Sequence, residues 1–334
     1  MKISFLVTYY NQKEFVRQSM DSILAIEKPC DWEILVGDDG SNDGTTDVVK
    51  EYMAQYPENI FLYVMDREPD KKYEIVRRSS ANRLNLIDHM SGDFFCTLDG
   101  DDCYCHTDFI RLALDIFSVY TQVSVVGFGY HTFTNEDGVL SEHSLPEGLM
   151  DTGVYLKTGL YTHAGACVYR NFMSKERKAF LHELAYYDDN NIVINNLAFG
   201  LMYACAPIIY SYRQTENSTY NTMDFAERAV LNTQGYDVDI ALLPAQSDAL
   251  LLRYRTALLN TYFLRRRLYK LLGQDKFNRY LHGCSLLKNS ITYLLLRDDR
   301  SKESKQQIAN TIGKLIKLHP KFALRMFFAT FKCR

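Results

Sequence analysis

Proline and glycine are scarce in this sequence, at 7 and 17 of 334 residues. That excludes collagen-like repeats and the Pro/Gly-rich compositions that stay disordered. The 8 cysteines are scattered, several inside apolar runs where a thiol behaves as a small buried hydrophobe, so a disulfide-stapled miniprotein is excluded too. No run of about 18 apolar residues occurs, and no spanning helix is expected. The chain opens Met1-Lys2 and enters a strand-like run with no cleavage-site pattern, so the expectation is a cytoplasmic chain with reduced thiols. Two phosphate-binding signatures are also missing. There is no G-x-x-x-x-G-K-[ST], and no G-x-G-x-x-G follows the first strand.

What is present is an ordinary packed composition, 47% hydrophobic and 24% charged. A net charge of -3 and a pI near 6.3 argue against a generic nucleic-acid binder. Apolar runs rich in β-formers alternate with helical spacing through the first hundred residues. Strands are predicted at Ile3 to Thr8, Trp32 to Gly37, Ile60 to Met65 and Phe94 to Leu98. Helices are predicted at Lys13 to Ile26, Thr45 to Tyr56, Ser80 to Met90 and Phe109 to Tyr120, with a further strand at Val123 to Phe128. That alternation means βαβ units, an α/β fold with a mostly parallel central sheet flanked by helices. Residues 129–222 are more irregular, with a strand at Gly165 to Tyr169, a helix near Asp189 to Phe199 and a strand at Met202 to Tyr210. From Ala226 onward the pattern is helical. The expected organisation is a domain over 1–222 and a basic helical region over 223–334.

Acidic residues cluster where strands end. The second strand runs into Asp38-Asp39-Gly40-Ser41-Asn42-Asp43-Gly44, and the fourth into Asp99-Gly100-Asp101-Asp102. Ligands of open α/β sheets bind outside the carboxyl ends of the strands, so both clusters are expected to face one crevice. Asp43-Gly44 reads first as plain turn chemistry. Asp99, Asp101 and Asp102 are harder to dismiss, because close carboxylates raise one another's pKa unless a cation or water neutralises them. Mg²⁺ and Mn²⁺ take carboxylate oxygens, and Mg²⁺ is usually held by one or two carboxylates plus substrate phosphates. The implied ligand is a nucleotide. A calcium loop starting at Asp39 is rejected, because its twelfth position is Lys50 where a bidentate Glu is required. Cys103, Cys105 and His106 lack a fourth partner at zinc-finger spacing, and buried thiols are the preferred reading.

The runs Val7-Thr8-Tyr9-Tyr10-Asn11, Asp38 through Thr45, and Leu98-Asp99-Gly100-Asp101-Asp102 together resemble family 2 glycosyltransferases of the GT-A fold. The resemblance covers roughly residues 1–220. It implies an inverting enzyme that uses a nucleotide-diphosphate sugar and Mn²⁺ or Mg²⁺. It places Thr8, Tyr10 and Asp39 at the nucleoside, with Asp39 reading the base edge, and Arg83 beside the nucleotide. Asp99-x-Asp101 matches the metal-binding D-x-D, with Asp101 the direct ligand. Leu84 and Leu86 depart from the Asn and Gly usual in the family. Further on, Asp188-Asp189 stands where the family has Glu-Asp, which makes Asp189 the catalytic base. An Asp at a helix start is favoured in its ionised form by the dipole. Taken without the family, Asp188 and Asp189 read as an N-cap pair. Arg213, in the family's Tyr-Arg, pairs either with diphosphate oxygens or with a carboxylate. Asn217-Ser218-Thr219 is a glycosylation sequon that a cytoplasmic chain would not use.

Residues 253–334 carry 19 Lys/Arg against 4 acidic residues, a net +15, leaving −18 on the rest. Leu264 to Lys270 and Phe322 to Phe328 mix cations with bulky apolar groups, as helices on anionic membrane surfaces do. Packing on an acidic neighbour explains the same charge. The expected function is transfer of a hexose or N-acetylhexosamine from a nucleotide-diphosphate sugar, with a UDP-sugar as the expected donor, to a glycan or lipid-linked acceptor in surface polysaccharide synthesis, with no nucleic-acid partner. A nucleotidyltransferase and a non-catalytic nucleotide-sugar or glycan binding module are the alternatives.

Overall fold

The computed structural model describes residues 1–68, 73–158, 162–215, 223–258 and 265–281. The elements of the first hundred residues are β1 (Lys2–Tyr9), α1 (Lys13–Leu24), β2 (Asp31–Asp38), α2 (Thr45–Gln55), β3 (Ile60–Val64), α3 (Ile75–His89) and β4 (Phe94–Asp99). There follow β5 (Cys103–Tyr104), α4 (Phe109–Val119), β6 (Val123–Thr134), β7 (Gly138–His143), β8 (Gly148–Met150) and α5 (Thr152–Thr158). The remainder is β9 (Cys167–Arg170), α6 (Lys175–Leu184), α7 (Asp189–Leu197), β10 (Leu201–Arg213), α8 (Phe225–Leu242), α9 (Ser247–Leu258) and α10 (Arg265–Leu281).

Among the described residues the strands form one sheet in the order β3-β2-β1-β4-β9-β6-β10-β5, with β7 beside β6 and β8 beside β10. The first half is parallel, as the βαβ alternation predicts: β1 pairs with both β2 and β4, and β2 with β3. The second half is mixed, because β9 lies antiparallel between β4 and β6 while β10 runs parallel to β6. Strand β6 outlasts its predicted end by six residues (Gly129 to Thr134), where the Asn135–Gly138 turn folds β7 back onto it.

Two-residue periodicity sorts β1 between two layers. Ile3, Phe5, Val7 and Tyr9 join the buried cluster with Val16, Met20 and Ile23 of α1, Val49 of α2 and Phe109 of α4. On the other face, Leu6 and Thr8 line a small cavity with Arg83 and Ile87 of α3 and Ile192 of α7. The sheet is thus covered on both sides.

The chain divides into two compact units. The first comprises 1–152, 160–223 and 234–245; the second is built from the described residues of 153–159, 224–233 and 246–334. In the second, Arg253 donates to the Tyr155 carbonyl at 3.3 Å, and α10 is interrupted at Gly273, whose φ of 75° breaks the helical path. Most of the basic segment lies outside the described residues, including Phe322 to Phe328, as does the sequon at Asn217. Among the described residues no helix is long and apolar enough to cross a membrane.

At the end of the sheet away from the acidic clusters, Glu33 is 4% exposed and ties three chain segments together. It accepts from Lys2 Nζ at 2.5 Å, Ser4 Oγ at 2.6 Å and the Ser91 N–H at 2.8 Å. Burial alone would raise its pKa, but these donors outweigh burial and lower it. A depressed carboxyl contributes stability above its unfolded pKa and loses it as pH falls through the folded one. Glu33→Gln is expected to cost about 1–3 kcal/mol at neutral pH. Urea melts across pH 3 to 7 should show that gap closing toward the acid end.

Candidate functional site

The parallel register sets Thr8 beside Asp99 and Tyr9 beside Asp38. Three adjacent strand ends therefore deliver Thr8–Tyr10, Asp38–Asp39 and Asp99–Asp102 to one edge of the sheet, as the strand-end rule predicts. Gly100 permits this crowding. A Cβ there would lie 2.1 Å from a Tyr9 ring carbon.

Arg83 reaches this edge from α3 and is 8% exposed. Its Nη2 donates to Asp99 Oδ1 at 2.9 Å and Asp189 Oδ1 at 3.1 Å, while Nη1 donates to Asp188 Oδ1 at 2.7 Å. Asp188 is the residue preceding α7, and its N–H donates to Asn191 Oδ1 at 2.9 Å; Asp189 is the first residue of that helix. Both readings of the pair thus have a physical basis, since Asp188 caps the helix and Asp189 faces the shared arginine. Burial would raise Asp99, but Arg83 outweighs it and holds that carboxyl below the usual range. Asp189 differs. Burial pushes it up to about 8; Arg83 pulls down, and the Asp188 and Asp99 carboxylates push back. The helix dipole, expected to keep it ionised, is outweighed.

The three carboxylates after β4 have separate fates. Asp102 is 1% exposed and accepts from Tyr210 Oη at 2.6 Å and the Arg213 N–H at 2.7 Å, so it faces the interior. Asp101 is raised to about 6 by burial and then by Asp99. Arg213 sits between the Phe15 and Phe133 rings, donating to the Asp101 carbonyl at 2.6 Å, to Gln18 Oε1 at 2.5 Å and to Asn135 Oδ1. Its guanidinium meets main chain and side-chain amides, not a carboxylate, and it braces the Asp101–Asp102 loop from within.

Asp39 is 4% exposed, and two arginines hold it. Arg67 donates to Oδ2 at 2.5 Å and to the Asp39 carbonyl at 2.7 Å; Arg78 donates to Oδ1 at 2.7 Å. Tyr10 is exposed, with the Arg67 guanidinium 3.7 Å from its ring centroid.

Among the described residues no group of three or more His, Cys, Asp or Glu side chains is gathered to hold a metal unaided. Asp99 and Asp101 are a pair of carboxylates whose mutual repulsion a hard cation would relieve, and Mg²⁺ or Mn²⁺ needs only one or two carboxylates when phosphates complete the shell. The donor set fits that ion. Cys103 is buried and His106 pairs with Asp108 at 2.7 Å.

Several residues escaped the sequence reading. His163 stacks on Tyr210 with centroids 4.7 Å apart, and its Nδ1 accepts from the Gly165 N–H at 3.2 Å. Burial pushes it down to about 4, so the imidazole beside Asp99 is neutral. Asp239 of α8, fully buried, accepts from Asn190 at 2.5 Å and Asn191 at 2.6 Å, fixing the start of the helix that carries Asp189. Arg67, Arg78, His163 and Asp239 belong to no motif, and only the fold brings them here.

Comparison with known proteins accords with this geometry. In solved structures, S. aureus TarS in complex with UDP-GlcNAc superposes with a TM-score of 0.56 at 15% identity, over 90% of this chain and 82% of that one. A Pyrobaculum calidifontis mannosyltransferase in complex with GDP-Man and Mn²⁺ gives 0.50 at 14% identity, over 98% and 84%. At such identity the likeness concerns the fold, a GT-A arrangement of sheet and helices. In sequence, EpsE of Bacillus subtilis is 27% identical over 162 residues, 48% of this chain and 54% of EpsE. A poly-beta-1,6-N-acetyl-D-glucosamine synthase of Staphylococcus epidermidis is 35% identical over 100 residues, 30% of this chain and 21% of the synthase. The chain thus spans about half of EpsE and less of the synthase. The model of Glycosyl transferase family 2 matches residues 4–177, more than half of the chain and all three strand-end motifs. With its motifs on those strand ends and that match across them, this chain belongs to glycosyltransferase family 2.

Proposed function

We propose that the chain is an inverting, metal-dependent enzyme that moves a hexose or N-acetylhexosamine from a UDP-sugar to a hydroxyl of a glycan or lipid-linked oligosaccharide. Surface polysaccharide of the capsule or O-antigen type is the proposed product. The observation that carries this reading is the sharing of Arg83 by Asp99 and Asp189, which sets the metal and donor side of the site next to the base.

In this reading Thr8, Tyr10 and Asp39 take the nucleoside, and Asp99 and Asp101 would hold a divalent ion, which would supply positive charge to offset that of the departing diphosphate. Asp189 accepts the proton of the acceptor hydroxyl as that oxygen attacks the anomeric carbon opposite the nucleotide. One carboxylate suffices, because the leaving diphosphate needs no proton. Arg83 keeps Asp99 ionised and draws Asp189 toward ionisation. Arg213 acts by bracing the Asp101 loop. The UDP-GlcNAc complex of TarS and the name of the staphylococcal synthase make UDP-GlcNAc the first donor to test. The +15 of residues 253–334 supports peripheral attachment to an anionic inner membrane face, where a lipid-linked acceptor would lie.

Asp189→Asn is expected to lower transfer by about 10²–10⁴-fold while donor affinity stays near wild type. Parallel turnover assays and calorimetry with UDP-GlcNAc check both halves, and unchanged turnover would remove Asp189 from the base role. Asp101→Ala should instead abolish the Mn²⁺-dependent increment in donor binding, measured by titration with and without EDTA. Asp189 works only when deprotonated, so turnover should rise with pH through the range near its raised pKa. Arg83→Gln removes the cation that lowers that pKa and should move the acid limb of the pH–rate profile to higher pH. A limb that stays in place would show that another group sets it.

A further inference from the structure

We propose that Arg67 occupies the nucleobase position in the free protein and must be displaced by the donor, so that this residue sets donor affinity. The inference rests on the reading of Tyr10 and Asp39 as nucleoside contacts.

Those two residues offer a base an aromatic face to stack on and a carboxylate to receive an in-plane N–H. Arg67 takes both. Its guanidinium carbon lies 3.7 Å from the Tyr10 ring centroid, a stacking separation, and its Nη2 donates to Asp39 Oδ2 at 2.5 Å. Nε of the same group donates to the Asp39 carbonyl at 2.7 Å. A guanidinium is planar, stacks on aromatic rings and donates within its plane, which are the features an imide edge such as that of uracil presents. Tyr73 stands further out, 5.3 Å from the Arg67 guanidinium and 4.7 Å from that of Arg78. A base stacked on this face of Tyr10 and bonded to Asp39 would overlap the Arg67 head group.

The displacement is feasible because Asp39 does not depend on Arg67 alone. Arg78 donates to the other carboxylate oxygen at 2.7 Å and to the Asp66 carbonyl at 3.1 Å, from a position fixed on α3. When Arg67 leaves, Asp39 keeps a cationic partner in Arg78. Arg67 itself retains 22% side-chain exposure and has solvent to move into. Since the binding-competent state is the one with Arg67 withdrawn, the apparent dissociation constant exceeds the intrinsic one by the inverse of that state's population.

The test is calorimetric titration of UDP with Mn²⁺ into the full-length chain and its Arg67→Ala and Arg67→Gln variants. Arg67→Gln preserves most of the side-chain bulk and guards against local collapse. Both variants are expected to bind UDP about three- to tenfold more tightly, as for a competent state populated at roughly a tenth to a third. Weaker binding would overturn the proposal and make Arg67 a direct donor contact. Unchanged affinity would overturn it as well, while leaving the nucleoside reading intact. If none of the three proteins binds UDP, the nucleoside reading falls and takes this inference with it.

Discussion

Charge balance around Arg83 governs this site. Taking an ion out of water costs several kcal/mol even after relaxation, so a nearly buried guanidinium persists only where anions meet it. Here Asp99, Asp188 and Asp189 meet it from two separate segments of chain. The dependence runs in both directions, because three neighbouring carboxylates cannot all be ionised without a cation between them. The structure shows the compromise that results, with Asp99 held down and Asp189 pushed up. A lysine would not substitute well. Its single ammonium lacks the fork that lets one nitrogen of Arg83 serve Asp188 while the other serves Asp99 and Asp189.

A similar division of labour organises the loop after β4. Of three carboxylates within four residues, one is spent on architecture. Asp102 turns inward to Tyr210 and the end of β10, which leaves Asp99 and Asp101 as the pair not tied to that strand. Gly100, with no side chain to strike Tyr9, lets the loop turn that sharply.

How much of this could be read in the residues depends on range. Strand ends and their acids were legible because apolar runs of β-formers stop where the carboxylates begin. The parallel half of the sheet follows from alternation alone. Helix α3 starts at Ile75 rather than Ser80, since its first turn lacks the apolar spacing that marks a buried face. Leu84 and Leu86, which depart from the family pattern, are 3% and 0% exposed and are buried as core side chains. Arg213 was placed at the site, but its bonding was not readable, because its partners Gln18 and Asn135 lie 195 and 78 residues away. Asp239 was invisible for the same reason, standing 48 residues from Asn191 in a helix with no motif.

The bond between the Arg213 N–H and Asp102 joins residues 111 positions apart. Closing so long a loop carries an entropic cost that is recovered only once β10 lies beside β6. By that argument the acidic loop after β4 should take its final form late in folding, after the parallel strands β1, β2 and β3 have paired. Ordering of the loop is thereby coupled to completion of the sheet, so a chain that has not yet reached β10 lacks the bonds that turn Asp102 inward.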